Sequence, residues 1–160
     1  ADRRQGLRHG VEERGAVVGA LRAVAADYAR TGLSLRAHPI SFLRESLARR
    51  GAVECARLAG VRTAMVGGLV LCRQRPATAS GIVFMTLEDE TGVANLIIRP
   101  RTWERCRRIG RHAGAILAEG RVEHRDGVTH LLVRRMVDLG PELARRADGT
   151  APAQRSRDFR

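Results

Sequence analysis

The 160-residue chain contains no lysine: its 29 basic residues are all arginine, set against 17 acids for a formal net charge of +12. With so much Ala and Gly beside it, the missing lysine reads as coding bias, but the charge is a physical property whatever its origin. It favours polyanions such as nucleic acid or anionic lipid and repels basic partners. A solvated basic surface with no partner is the competing reading. Aromatics are scarce, with one Trp, one Tyr and three Phe, so few bases could be stacked. Cys55, Cys72 and Cys106 are an odd number at wide spacing, which excludes a disulfide framework or zinc ribbon and makes the cytoplasm the expected compartment. No apolar run approaches the ~20 residues that span a bilayer, so no membrane partner is expected. The opening "ADRRQGLRHG" has neither a methionine nor the apolar segment of a signal, and it reads as an internal start within a longer chain. There is no P-loop, nucleophile elbow or Gly-rich dinucleotide fingerprint. One domain of ordinary size plus a small appendage fits this length; two large enzyme domains do not.

Residues 1–15 are polar, basic and Gly-containing, and are expected to be irregular. Residues 16–60 read as a helical linker. Val17, Val18, Leu21, Val24, Ala25 and Tyr28 fall at helical spacing, ended by Gly32. "HPISFLRESLARRG" then puts Pro39 at a helix start and Gly51 just past its end, with Phe42, Leu43 and Leu47 on the apolar face. His38 is expected to cap or pack, and "AVECARLAG" to connect with a few buried positions. From Thr63 the period is that of strands. "TAMVGGLVLCRQR" is a long first strand in which Gly67-Gly68 would allow a kink or bulge, with Cys72 buried and inert. Loop "PATAS" follows, then "GIVFMTLE" and "GVANLIIR" joined by an acidic turn. "PRTWERCRRIG" is a short helix from Pro100, turning Trp103 and Cys106 inward and Arg101, Arg105 and Arg108 outward. In "AILAEGRVE" Ile116, Ala118, Gly120 and Val122 alternate with Leu117 and Glu119, and "HRDG" carries an Asp-Gly hairpin signal. The last strand, "VTHLLVRRMVDL", has Leu131, Val133, Val137 and Leu139 on one face and His130 and Arg134 on the other. Residues 140–160 are expected to be a flexible basic tail.

The element order is mainly β, and residues 61–139 read as a five-stranded OB-fold Greek-key barrel with a short helix between strands three and four, preceded by a small helical segment. An unrelated small α+β sheet shares that order; the long bent first strand favours the barrel.

The turn acids Glu88, Asp89 and Glu90 raise the question of general acid/base catalysis or Mg²⁺ binding. Their place at a hairpin tip, among the turn formers Thr91 and Gly92, argues for a sheet turn with solvated acids, so no catalytic residue is assigned. His124 and His130 facing each other across the last hairpin would be two ligands without a third, and no metal site is assigned.

In an OB-fold, oligonucleotides lie across strands two and three between the loop after strand one and the hairpin joining strands four and five. Arg73 and Arg75 flank the first loop; His124 and Arg125 sit in the second. With Val83, Met85 and Leu87 inward, Phe84 and Thr86 face out, joined by Asn95 and Arg99 on strand three. Arg101 and Arg134 complete the candidate nucleic-acid-binding set. With one outward aromatic, contact is expected mainly through phosphates and to be strongly salt-dependent. Chance arginines in loops are the competing reading.

Three blocks, "DYARTGLSLRAHPISFLR" (27–44), "GLVLCRQRPATASGIVFMTLEDETGVANLIIRP" (68–100) and "SRDFR" (156–160), closely resemble the carboxy-terminal part of bacterial error-prone DNA polymerases, C-family paralogues of the replicative alpha subunit. The resemblance implies nucleotidyltransferase chemistry, DNA-directed DNA polymerisation in damage-induced (SOS) mutagenic repair and replication. It also implies a sliding clamp and mutagenesis accessory proteins as partners. The palm carboxylates that hold the catalytic Mg²⁺ ions lie upstream in that family, so no cofactor is expected in this chain and it is expected not to polymerise alone. The expected role is a single-stranded-DNA-contacting module. A protein-docking module using Phe84, Ile97 and the arginine-rich tail, and an OB-type tRNA anticodon-binding domain, are the alternatives.

Overall fold

The computed structural model describes residues 37–147. The helix expected around residues 16–32, the irregular start and the "SRDFR" block lie outside them. His38 opens the described helical segment as an N-cap: its Nδ1 accepts from the Ile40 N–H at 3.2 Å. Pro39 follows at the first position of a 3-10 turn, Pro39–Leu43, where its missing N–H costs nothing. The turn runs into helix α1 (Arg44–Arg49), and Gly51 follows at φ +87, a conformation suited to glycine. A second 3-10 turn, Cys55–Gly60, leads into the sheet.

Strands β1 (Thr63–Gln74), β2 (Val83–Asp89), β3 (Gly92–Ile98), β4 (Ala115–Arg125) and β5 (Val128–Asp138) close a barrel in the order β1-β2-β3-β5-β4. Helix α2 (Pro100–His112) stands between β3 and β4. All pairings are antiparallel except β3 with β5. This is the OB-fold, with the long first strand pairing β4 through Thr63–Leu69 and β2 through Leu69–Gln74. Where β1 changes partner, a Cβ at Gly68 would come within 2.8 Å of the Leu87 Cβ and 3.0 Å of the Glu88 carbonyl. Glycine there permits close backbone approach.

The register irregularity of β1 lies three residues beyond the glycine pair, between Val70 and Cys72, leaving Leu71 as the extra residue. A second lies on β5, where Val133 opposes Gly120 and Arg135 opposes Glu119, leaving Arg134 as the extra residue. Each inserts one position and reverses the alternation that follows. On β5, Met136 turns inward at 4% exposure, whereas Val137, expected inside, is exposed. Gly120 sits beside the second bulge, and a Cβ there would collide with the Leu132 carbonyl.

The barrel interior is filled by alternate residues, among them Val66, Val70, Met85, Leu87, Leu96, Ile98, Ile116, Leu131 and Val133. Cys55, Leu58 and Trp103 join this core, as elements outside the sheet cover its ends. A second cluster lies outside the wall: Ile40, Leu43 and Leu47 pack with Leu69, Ala115, Leu117, Leu139 and Leu143. The β1/β4 wall is therefore buried on both faces, which explains why "AILA" is apolar without alternation. It also corrects the first part of the tail expected to be flexible; residues 148–160 lie outside the described residues. Residues 140–147 form helix α3 (Gly140–Ala147), whose Leu143 is 2% exposed. A buried leucine contributes about 1.5–3 kcal/mol, and Ser46 Oγ donating to Glu142 at 2.6 Å adds a polar anchor.

Candidate nucleic-acid interface

Cross-strand partners align the barrel's outer face. Gln74, Phe84, Ile97, Leu132 and Arg121 make one row across β1, β2, β3, β5 and β4; Cys72, Thr86, Asn95, His130 and Glu123 make the next. Phe84, Thr86, Asn95 and Ile97 are half-buried, alternating with the buried Val83, Met85, Leu87, Ala94, Leu96 and Ile98. The centre is an apolar strip of the half-buried Phe84 and Ile97, continued by Leu132, which is 9% exposed, with polar side chains beside it. A base can lie on the strip while the polar row meets its edge or sugar. His130 brings a buried Nδ1 without a hydrogen-bond partner among the described residues.

The loop from Arg75 to Ile82 borders this platform. Gly81, at φ +81, lies between Pro100 and Arg75: a Cβ there would be 3.3 Å from Pro100 Cγ and 3.6 Å from Arg75 Nη2. The loop thus abuts the β3–α2 junction, so Arg75, Arg99 and Arg101, all exposed, cluster at one corner. At the other border, Asp126 and Gly127 with positive φ form the β4–β5 turn. His124 and Arg125 are exposed there, and His124 Nδ1 meets Thr129 Oγ1 at 3.1 Å. His130 opposes Glu123, so the two histidines do not face each other. Arg134 is exposed at its bulge, away from the loop borders.

Arg73 is placed differently. It opposes the inward Met85, and its Nε donates to the Gly110 carbonyl at 2.5 Å while Nη2 donates to the Ala113 carbonyl. It thereby satisfies carbonyls at the C-terminus of α2, where a cation also meets the negative end of the helix dipole. The Leu71 bulge is the cause: plain alternation from Val70 sends Arg73 outward, and one inserted residue sends Gln74 outward instead. Gln74 was missed for this reason, since a bulge carries no reliable signal in periodicity alone; Leu132 and Arg121 keep plain alternation and join the row only through the pairing of β5 with β3 and β4. Cys72, expected to be buried, is half-buried in the outer row.

At the opposite end of β2 and β3, the central acid of the turn is not solvated, although Glu90 beside it is exposed. Asp89 is 3% exposed. Its Oδ1 accepts from Thr91 N–H, Thr91 Oγ1 and Gly92 N–H, as an Asx turn requires. Its Oδ2 accepts from the Cys55 N–H at 2.8 Å and from Arg44 Nη2 at 3.0 Å. Arg44 also donates to both oxygens of Glu90, at 2.5 and 3.0 Å, and His38 Nε2 meets Glu88 at 3.1 Å. Burial pushes the Asp89 carboxyl up, but the Cys55 and Thr91 hydrogen bonds outweigh it and hold it below the usual carboxylate range. Burial likewise pushes Glu90 up and the Arg44 hydrogen bond brings it down, for a net lowering. The hydrogen bond to Glu90 raises Arg44 above its ordinary value. Burial, then the Asp89 charge, push the Cys55 thiol up, leaving it protonated. The turn reading holds, but these acids fasten the helical segment to the barrel.

Among the described residues no three or more His, Cys, Asp or Glu side chains converge as metal ligands. No described helix is long and apolar enough to cross a membrane.

No family model matches the chain. It is 45% identical over 152 residues, 91% of its length, to the error-prone DNA polymerase of Caulobacter vibrioides. It is 48% identical over 139 residues, 85% of its length, to that of Methylococcus capsulatus. The chain spans 14% and 13% of these two curated relatives. Among solved structures, the asparaginyl-tRNA synthetase of Pyrococcus horikoshii complexed with asparaginyl-adenylate aligns with 55% of this chain and 22% of its own. That alignment is at 17% identity and a TM-score of 0.45.

Proposed function

From the premise that this chain corresponds to a segment of error-prone DNA polymerases, we propose that its barrel is a nucleic-acid-binding module that contacts single-stranded template DNA. The observation that carries this is the single outer face: the Phe84–Ile97–Leu132 strip flanked by Thr86, Asn95 and His130, with Arg75, Arg99 and Arg101 exposed at one corner. Bases stack on the strip while the corner guanidiniums hold phosphates. Arg73 serves indirectly by holding α2 in place, and the acidic turn holds the linker at the far end.

In the intact polymerase, by its relatives' name, the module would serve mutagenic repair synthesis in the cytoplasm alongside a sliding clamp and accessory proteins. The Mg²⁺ of polymerisation would belong to other parts of that enzyme. The described residues offer no ligand cluster for it.

The test is anisotropy of labelled single-stranded DNA titrated with the chain at two salt concentrations, beside duplex DNA and RNA of equal length. The expected result is salt-sensitive binding that prefers single-stranded DNA and weakens in Arg75→Ala/Arg99→Ala. Preference for RNA would favour the anticodon-type reading. No binding at low salt would leave protein docking as the account of this face.

A further inference from the structure

The platform does not account for a run of cations among the described residues, the outer side of α2. Arg101, Arg105, Arg108 and His112 recur at helical spacing and are exposed, with Arg107 and Arg111 on the adjoining stripe. Arg105, Arg107, Arg108, Arg111 and His112 line one shallow groove with a single acid, Glu104. Glu104 reaches only Arg107, at 4.0 Å. Among the described residues, Arg101, Arg105, Arg108 and Arg111 have no ion pair or side-chain hydrogen bond.

This arrangement opposes the helix's own electrostatics. Like charges four apart, as Arg101 with Arg105 and Arg107 with Arg111, destabilise a helix. A cation in the first turn opposes the dipole, and α2 has no acid there. The buried side of the helix is secured without them, by Trp103 and by Arg73 on its last carbonyls. Arg111 and His112, in the last turn, complement the dipole, but Arg101, Arg105 and Arg108 lie before that turn and add no such support, so their charge complements an anion from outside.

We propose that this stripe is a second phosphate-binding surface, which carries the backbone of the nucleic-acid strand after it leaves the platform. The proposal rests on the reading of the barrel face above and extends it. Its geometric basis is continuity: α2 starts one residue after Arg99, at the corner where Pro100 meets Gly81 and Arg75. From Arg101 to His112 the helix rises about 16 Å at ~1.5 Å per residue, room for about three to five phosphates at the spacing of one strand. Arginine suits this task because its planar fork grips phosphate oxygens in pairs. A polyanionic strand fits better than an acidic protein segment because the cations form a line continuous with the platform.

The experiment compares the 160-residue chain with Arg105→Gln/Arg108→Gln/Arg111→Gln. Glutamine keeps helix propensity, and circular dichroism checks the fold. Each is titrated with a single-stranded oligonucleotide of about 6 nucleotides, within the ~4–16 that one OB-fold covers, and with one of about 20. For the longer strand the variant is expected to lose about 2 from the slope of log affinity against log salt, at ~0.7 per phosphate contact. For the shorter strand the slope should not change. Unchanged slopes for both lengths, or equal losses for both, overturn the helix path while leaving the platform reading standing. If the parent chain binds neither length, both readings fall. Polyglutamate capture that the variant abolishes, with oligonucleotide binding intact, would overturn it in favour of an acidic protein partner.

Discussion

Two ends of the same hairpin use charge in opposite ways. At the β2–β3 turn, Arg44 pairs through Nε and Nη2 with both Asp89 and Glu90, around a carboxylate that is 3% exposed. At the far end, Arg75, Arg99 and Arg101 stand exposed with no acid within ion-pair distance among the described residues. Within one chain, then, arginine count says nothing about function; what distinguishes the ends is whether each guanidinium already has its acceptors. The paired end is a fastening, and the unpaired end is where an external anion would be stabilised.

The largest expected effect comes from breaking the paired end. Asp89→Ala removes the acceptor for the buried Cys55 N–H and for Arg44. Such a loss costs about 3–5 kcal/mol, read as a fall in denaturation midpoint. Oligonucleotide affinity of the folded fraction should not change. A loss under about 1 kcal/mol would mean the fastening is not structural. The same network gives a sign for pH. Asp89 and Glu90 are held below their ordinary values, so the unfolded chain binds more protons as pH falls. Their contribution is fully present above the ordinary carboxylate range of about 4 and is lost as pH drops through the lowered values. Asp89→Asn should flatten that acid limb in a thermal melt series; an unchanged limb would assign acid sensitivity elsewhere.

At the unpaired end, Phe84→Ala should weaken single-strand binding by about 1–3 kcal/mol, the contribution of one stacked base. Circular dichroism should show an intact barrel. If affinity holds while stability falls, Phe84 is a packing residue. The smallest pair of effects sharpens the comparison within one loop. Arg73→Ala should lower stability by about 1.5 kcal/mol through the lost hydrogen bonds to α2. Arg75→Ala should leave stability within about 0.5 kcal/mol but reduce the salt slope by about 0.7. Equal effects on stability would erase the distinction between the two arginines.

Much of this fold was legible in the sequence. The strands, the Pro100 helix, the β1 span and the inward set of β2 and β3 follow from period, turn residues and helix starts. What was not legible has two causes. A bulge inserts a residue without a compositional mark, and so Arg73 and Gln74, and likewise Met136 and Val137, exchanged faces. Long-range pairing is invisible to local pattern: nothing near Asp89 announces Arg44, 45 residues away, and nothing in Gly140–Ala147 announces the groove that receives Leu143. The candidate site fared in the same way. Phe84, Thr86, Asn95 and Arg99 share the expected face because β2 and β3 have no bulge, whereas the contribution of β1 and β5 was misassigned where they do.

The most direct test is to follow backbone amide NMR shifts of the chain as a short single-stranded oligonucleotide is added. The expected result is shifts concentrated on the outer residues of β2 and β3, on Leu132, and on the loop from Arg75 to Ile82, with the Asp89–Gly92 turn unmoved. Shifts concentrated on that turn and on α1, with the β2–β3 face silent, would contradict the placement of the nucleic-acid surface.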